Sequence, residues 1–331
     1  MITILVSYSF FNDRPWDKIP PDPNIRWFFN EEVEAVDIWI VHEDLHLQVR
    51  QKVRARAVIL ITGEPPMQRR YPAGYWRQFD LVVTSHAPVG GVPVLNWQQC
   101  YPWHVGWMKR GALSAGVNPA SSYKSLVESE APKKKKLVSV VCSADSRLPG
   151  HQKRLRFVRR LKAVLGDRLD WFGRGIMPIG DKWDVMADYH YHISLENSCV
   201  PHYWTEKIAD AFLAECFPIY WGAPNVDLYF DPHGYEIIDV NKIEESCERV
   251  VKLIQRIPSD SMLSAVRLNK SRVLEDYNYH GLVRQVALNY LARPLRDFEI
   301  SSLRNYAGRV WTMMERGGRL SSRLRYVLIK R

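Results

Sequence analysis

The stretch YHYHISLENSCVPHYWTEKIADAFLAECFPIYWG, residues 189–222, decides the fold. Its first part, 189–197, is an apolar-rich run that reads as a buried strand. TEKIADAFLAECF (205–217) reads as a helix, and PIYWG (218–222) as a second buried strand. Buried strands joined through a helix form a βαβ unit, and a succession of such units builds a mostly parallel sheet covered on both faces.

The alternation continues on either side. KLVSVVCSA (136–144), RLDWFG (168–173) and YEIIDV (235–240) read as strands. HQKRLRFVRRLKAVLG (151–166), apolar at 155, 157, 158, 161, 164 and 165, reads as a helix, as does KIEESCERVVKLIQRI (242–257). Toward the N-terminus come ITILVSYS (2–9), VDIWIVH (36–42), RAVILIT (56–62), DLVVTS (80–85) and PVLNW (93–97), all β-type, with weak helical patterns between them. The polar segment SAGVNPASSYKSLVESEAPKKKK (114–136) separates the two regions, which sets a domain boundary near residue 132. The expected organisation is an α/β protein of two Rossmann-like domains with an intervening cleft: 1–131, 132–293, and a basic tail, 294–331. The helices over 258–293 are expected to cross back over the junction.

Bulk properties narrow the functional class. With 331 residues, 46% hydrophobic and 25% charged, the composition is that of a soluble globular protein. No run of eighteen apolar residues is present to span a bilayer. MITILVSYSFFND lacks a basic region before its apolar run, so it reads as a first strand and not a signal peptide. Five scattered cysteines without a CxxC pair argue against a disulfide framework or a zinc site and for a reducing compartment.

The net charge of +10 calls for an anionic partner. From Arg304 onward eight basic residues face only Glu315, and LRNYAGRVWTMMERGGRLSSRLRYVLIKR interleaves them with apolar side chains. Such a segment suits an anionic membrane surface, or a solvated helix face that closes the fold. No nucleic-acid-binding signature accompanies the charge, so no nucleic-acid partner is expected.

Ligands of open parallel sheets bind beyond the carboxyl ends of the strands. CSADSRLPGH leads there into a helix whose opening turn holds Arg154. A guanidinium beside helix-start N–H groups makes a phosphate clamp, although within KRLRFVRR it is also an ordinary solvated cation. After ENS, Thr205 can cap the next helix and Glu206 suits its positive end. Lys207 does not suit it, and becomes sensible if an anion lies nearby to be neutralised. Glu206, Tyr203 and Asn197 offer groups for ligand hydroxyls. The turn in WGAPNVDLYFDP permits close backbone approach at Gly222 but says little by itself. In the first domain Glu64 follows a strand and is stiffened by Pro65 and Pro66, as a general base or as an ordinary turn acid. Tyr71, Tyr75, Trp76, Trp103 and Trp107 could stack on sugars or pack in the core. There is no GxxxxGK[ST], no well-placed GxGxxG and no Asp-x-Asp after a strand, so a bound diphosphate would need Arg and Lys for its charge.

Taken in order, CSADSRLPGHQKR, WFGRG, HISLENSCVPHYWTEKIADAF and FPIYWGAPNVDLYFDPHGYEIIDV resemble the donor domain of the α-1,3/1,4-fucosyltransferases, glycosyltransferase family 10, bacterial type. The resemblance covers roughly 136–245; before residue 130 mainly TGEPP matches, with Pro65 where the family has serine. It implies a GT-B fold and an inverting, metal-independent transfer of L-fucose from GDP-β-L-fucose to an acceptor-glycan hydroxyl, α-1,3 in linkage. By the same resemblance Arg154 and Lys207 hold the diphosphate. Asn197, Tyr203, Glu206 and Ser143 contact the donor, Arg174 approaches the guanine end, and Glu64 is the catalytic base. The resemblance further implies a cytoplasmic enzyme acting on a bacterial surface glycan or lipopolysaccharide, with the tail docking it on the inner membrane; eukaryotic relatives carry an N-terminal anchor and lumenal disulfides. Transfer of another GDP-sugar and non-catalytic binding of a nucleotide or glycan stay open. Competition among GDP-sugars and a donor-hydrolysis assay discriminate them.

Overall fold

The computed structural model describes residues 1–9, 15–45, 49–88, 90–106, 122–146 and 149–306. They form two compact units, one of 1–16, 21–100 and 279 onward, the other of 17–20 and 101–278.

The first unit contains β1 (Ile2–Tyr8), β2 (Ile25–Phe29), β3 (Ile38–His42), β4 (Arg50–Ala55), β5 (Ala57–Ile61), the short α1 (Ala73–Trp76), β6 (Leu81–Thr84) and β7 (Val94–Asn96). Six of these strands make a parallel sheet in the order β2-β1-β3-β5-β6-β7. Every residue of β3 and β5 is buried, which explains their apolar runs. β4 was not legible. RQKVRA carries charges on its exposed positions and buries Val53 and Ala55. Its partner is the distant β13 (Arg296–Ser301), paired antiparallel, whose Ile300 joins the same core as Trp39, Tyr75 and Trp76.

The second unit runs α2 (Tyr123–Glu128), β8 (Lys136–Val141), α3 (Pro149–Leu165), β9 (Leu169–Phe172), β10 (Tyr189–Leu195), α4 (Glu206–Leu213), β11 (Phe217–Trp221), β12 (Glu236–Ile237), α5 (Ile243–Leu253) and α6 (Asp260–Glu275). Its strands are parallel in the order β12-β11-β10-β8-β9. The helix expected over 205–217 stops at Leu213, because Glu215 turns to φ 49° and Phe217 already begins β11. α7 (Tyr279–Val286) returns the chain to the first unit.

The division between the units lies at Cys100/Tyr101, not near residue 132. The reason is polar. The backbone N–H groups of His104 and Val105 donate to the buried Asp210 carboxylate at 2.7 and 3.1 Å, and that of Gly106 donates to Asp181 at 3.0 Å. These bonds tie 101–106 to the second unit before the polar segment begins. No helix among the described residues is long and apolar enough to cross a membrane. Most of the basic tail, 307–331, lies outside the described residues.

Candidate active site

In the second unit β8 leads through α3 to β9 on one side, and the chain then returns to place β10 on the other side of β8. Strand order reverses there, which is where open α/β sheets bind ligands. Beyond the carboxyl ends of these strands opens a cavity of about 530 Å³. Ser143, Arg154, Arg174, Asn197, Glu206 and Lys207, all singled out from the sequence, line it together.

Arg154 is the unusual member. It lies on the first turns of α3, is only 8% exposed, and donates from Nη1 to the Leu195 carbonyl at 3.1 Å. Its Nε has no hydrogen-bond partner, and no carboxylate among the described residues pairs with it. A buried cation without a counter-ion is costly to the folded chain, so a site that keeps one is built for an anion.

Lys207 differs. Its Nζ lies 3.3 Å from Glu196 Oε2 and 3.3 Å from Glu206 Oε1, and donates to Thr205 Oγ1 at 2.9 Å. Glu196 is fully buried and accepts from the Thr205 backbone N–H and hydroxyl, so the strand end and the helix cap are one hydrogen-bonded unit. Burial pushes the Glu196 carboxyl above its ordinary value, against the opposing pull of Lys207. The lysine in the first turn therefore already has an internal anion, and any ligand phosphate shares it with Glu196.

Glu206 sits in a second charged group that sequence reading missed. Lys182 Nζ donates to Asp210 Oδ2 at 2.8 Å and to Glu206 Oε1 at 3.3 Å, and His104 Nδ1 lies 3.6 Å from the same Glu206 oxygen. Burial opposes the charge of Lys182, but Asp210 and Glu206 more than offset it and hold its pKa above the ordinary lysine value. Burial likewise opposes ionisation of Glu206, yet Lys207 and Lys182 keep its carboxyl well below the usual range. Burial brings the His104 imidazole down to about 4, so it is neutral at pH 7. Nothing in the chain's linear pattern joins Lys182, Asp210 and His104.

Two glycines shape the cavity wall. A Cβ on Gly150 would lie 2.0 Å from the Asn197 carbonyl oxygen, so the start of α3 rests directly on the ENS segment. Gly173 has φ 139°, and a Cβ there would lie 2.6 Å from the Cys142 carbonyl oxygen. The 173–175 loop thus sits against the end of β8, where the Ala144 N–H donates to the Arg174 carbonyl at 3.0 Å. The Arg174 side chain is exposed.

Tyr203 does not line this cavity. His202, at φ 65°, is held by Asn225 and Tyr229, and the turn leaves Tyr203 only 2% exposed. Tyr71, Tyr75, Trp76 and Trp103 are likewise buried and serve packing, not sugar stacking; Trp107 lies outside the described residues.

Glu64 stands in the first unit beyond the carboxyl end of β5 and is half-buried. Its backbone N–H donates to the Glu43 carboxylate at 2.5 Å, and its carbonyl accepts from His86 Nε2 at 2.8 Å. Glu43 is 2% exposed, adopts φ 68° and pairs with Arg69. The TGEPP turn is therefore clamped from both sides by buried side chains, which holds the Glu64 backbone rigidly.

The family model described as glycosyltransferase family 10 (fucosyltransferase) C-term matches residues 131–263. An alpha-(1,3)-fucosyltransferase of Helicobacter pylori is 30% identical over 73 residues, 22% of this chain and 15% of that protein. An alpha-(1,4)-fucosyltransferase of Arabidopsis thaliana is 33% identical over 76 residues, 23% of this chain and 18% of that one. The chain thus covers less than a fifth of the length of either relative. A crystal structure of an alpha1,3-fucosyltransferase superposes with a TM-score of 0.50 at 17% identity, covering 87% of this chain and 88% of that one, and shares the fold. The two parallel sheets are those of the GT-B glycosyltransferases, and over residues 131–263 the chain resembles glycosyltransferase family 10, the fucosyltransferases.

Proposed function

We propose that the chain transfers L-fucose from GDP-β-L-fucose to a hydroxyl of an acceptor glycan, with inversion at C1, in an α-1,3 linkage and without a divalent metal. The observation that carries the reading is Arg154, a buried guanidinium with no counter-ion among the described residues, in one cavity with Lys207. Two preplaced cations suit a leaving diphosphate whose charge grows as the glycosidic bond breaks. Donors of this kind contribute roughly 3–4 kcal/mol each to a transition state. In this reading Glu206 and Asn197 receive donor hydroxyls, Ser143 and Arg174 flank the nucleotide, and Glu64 removes the acceptor proton. Its clamped backbone supports the last role, since a base contributes its ~10²–10⁴-fold only when held in place. The acceptor we propose is a bacterial surface glycan or lipopolysaccharide, reached from the cytoplasm with the basic tail against the inner membrane.

The test is a panel of GDP-sugars and glycan acceptors offered to the purified chain, with and without EDTA. Fucose transfer that survives the chelator, with an α-linked product, is expected. Preference for another GDP-sugar, or loss of turnover on chelation, would refute the assignment.

A further inference from the structure

Another residue of the same cavity has a chemistry fixed by its neighbours. His192, on β10, lines the cavity and is 2% exposed. Across the sheet, on β8, lies the fully buried Ser139, whose hydroxyl is 2.6 Å from the Val185 carbonyl and 2.8 Å from His192 Nδ1. A hydroxyl has one hydrogen, and a carbonyl only accepts. The Ser139 proton must therefore go to Val185, and His192 must donate its own Nδ1–H to the serine oxygen. That leaves Nε2 as a lone pair, with no partner among the described residues, in a ring that borders the cavity. Burial, with a smaller push from Lys182, holds the imidazole at about 3, so the lone pair persists across the working pH range.

An acceptor lone pair repels phosphate oxygens and attracts O–H or N–H. Lys182, the charge that acts on the ring, does not alter this, because it is engaged by Asp210 and Glu206. We propose that His192 is a specificity-determining residue, whose unprotonated Nε2 accepts a hydroxyl or amino hydrogen of the bound nucleotide sugar. The inference rests on the donor-site reading above. The donor hydrogen belongs to the ribose, the base or the hexose, and the ligands chosen below separate these.

The experiment combines ¹⁵N NMR of the uniformly labelled wild-type chain with calorimetry on His192→Phe, whose ring fills the space but accepts nothing. In the wild type, Nε2 is expected at an unprotonated nitrogen frequency that shifts on adding GDP or GDP-fucose. His192→Phe is expected to weaken binding about tenfold, the equivalent of one lost hydrogen bond. If the partner is the ribose 2′-hydroxyl, 2′-deoxy-GDP binds wild type and variant alike. If it is the base amine, inosine diphosphate does. If it is the hexose, only GDP-fucose distinguishes the two proteins. A protonated Nε2 in the wild type overturns the inference without recourse to any variant. So does a folded His192→Phe that binds GDP and GDP-fucose as the wild type does. Failure of the wild type to bind any guanosine nucleotide would instead overturn the donor-site reading itself.

Discussion

Replacing Arg154 by Met separates an anion-binding cation from a structural one. In the unliganded chain the guanidinium makes one hydrogen bond among the described residues, to the Leu195 carbonyl, and carries a charge with no counter-ion among them at 8% exposure. Losing that bond costs about 1.5–3 kcal/mol, while removing a desolvated, unpaired charge returns a comparable amount or more. The unfolding free energy should therefore stay level or rise. Binding of GDP should collapse, because two charge-assisted bonds to phosphate oxygens contribute about 3–4 kcal/mol, a Kd raised roughly 150- to 1,000-fold. Lys207→Met gives the contrast. It leaves Glu196, 0% exposed, without its cation, and should cost roughly 3 kcal/mol of stability, the low end for a broken buried pair because Lys207 is 22% exposed. Urea unfolding without ligand and calorimetry with GDP read both effects. An Arg154→Met protein destabilised by more than about 2 kcal/mol, with GDP affinity within threefold of wild type, would refute the reasoning.

Glu64→Gln should lower turnover about 10²–10⁴-fold and leave GDP affinity nearly intact, as steady-state kinetics beside calorimetry will show; equal loss of both would count against a base. Acid should destabilise the chain early. Burial holds His42, His104 and His192 at about 3, 4 and 3 against an ordinary 6.5, so below pH 6.5 only the unfolded state takes up their protons. Stability should then fall by about 1.4 kcal/mol per pH unit for each histidine between pH 6.5 and 5. Urea titrations across that window check the slope, and a flat profile contradicts it. Gly150→Ala pushes a methyl group into the Asn197 carbonyl and should cost about 1–3 kcal/mol and at least tenfold in GDP affinity, measured by the same two methods. Deleting residues 310–331 should abolish sedimentation with anionic liposomes while leaving donor hydrolysis unchanged; unaltered liposome binding would dispose of membrane docking.

Much of this protein was legible as a string. The buried strands β5 and β11 are unbroken apolar runs, and β3 is one up to its last residue, His42, because a parallel sheet hides both faces, so period and length alone marked them. Arg154, Asn197, Glu206 and Lys207 were legible because strand ends and helix starts lie close in sequence to those runs. β4 and β13 were not, since a charged two-stranded ladder joins residues 50–55 to 296–301 and its buried face belongs to a core assembled from elsewhere. The boundary was misplaced for a similar reason: a polar, lysine-rich segment looks like a linker, whereas 101–106 is bound by carboxylates of residues 181 and 210. Tertiary structure alone decided which charges are spent. Lys182 and Lys207 face internal carboxylates and Arg154 does not, and no local pattern distinguishes them. It also turned Tyr203 inward and set the tautomer of His192. Ion pairing and hydrogen-bond direction depend on groups within about 4 Å in space, and a linear sequence shows that distance only for near neighbours.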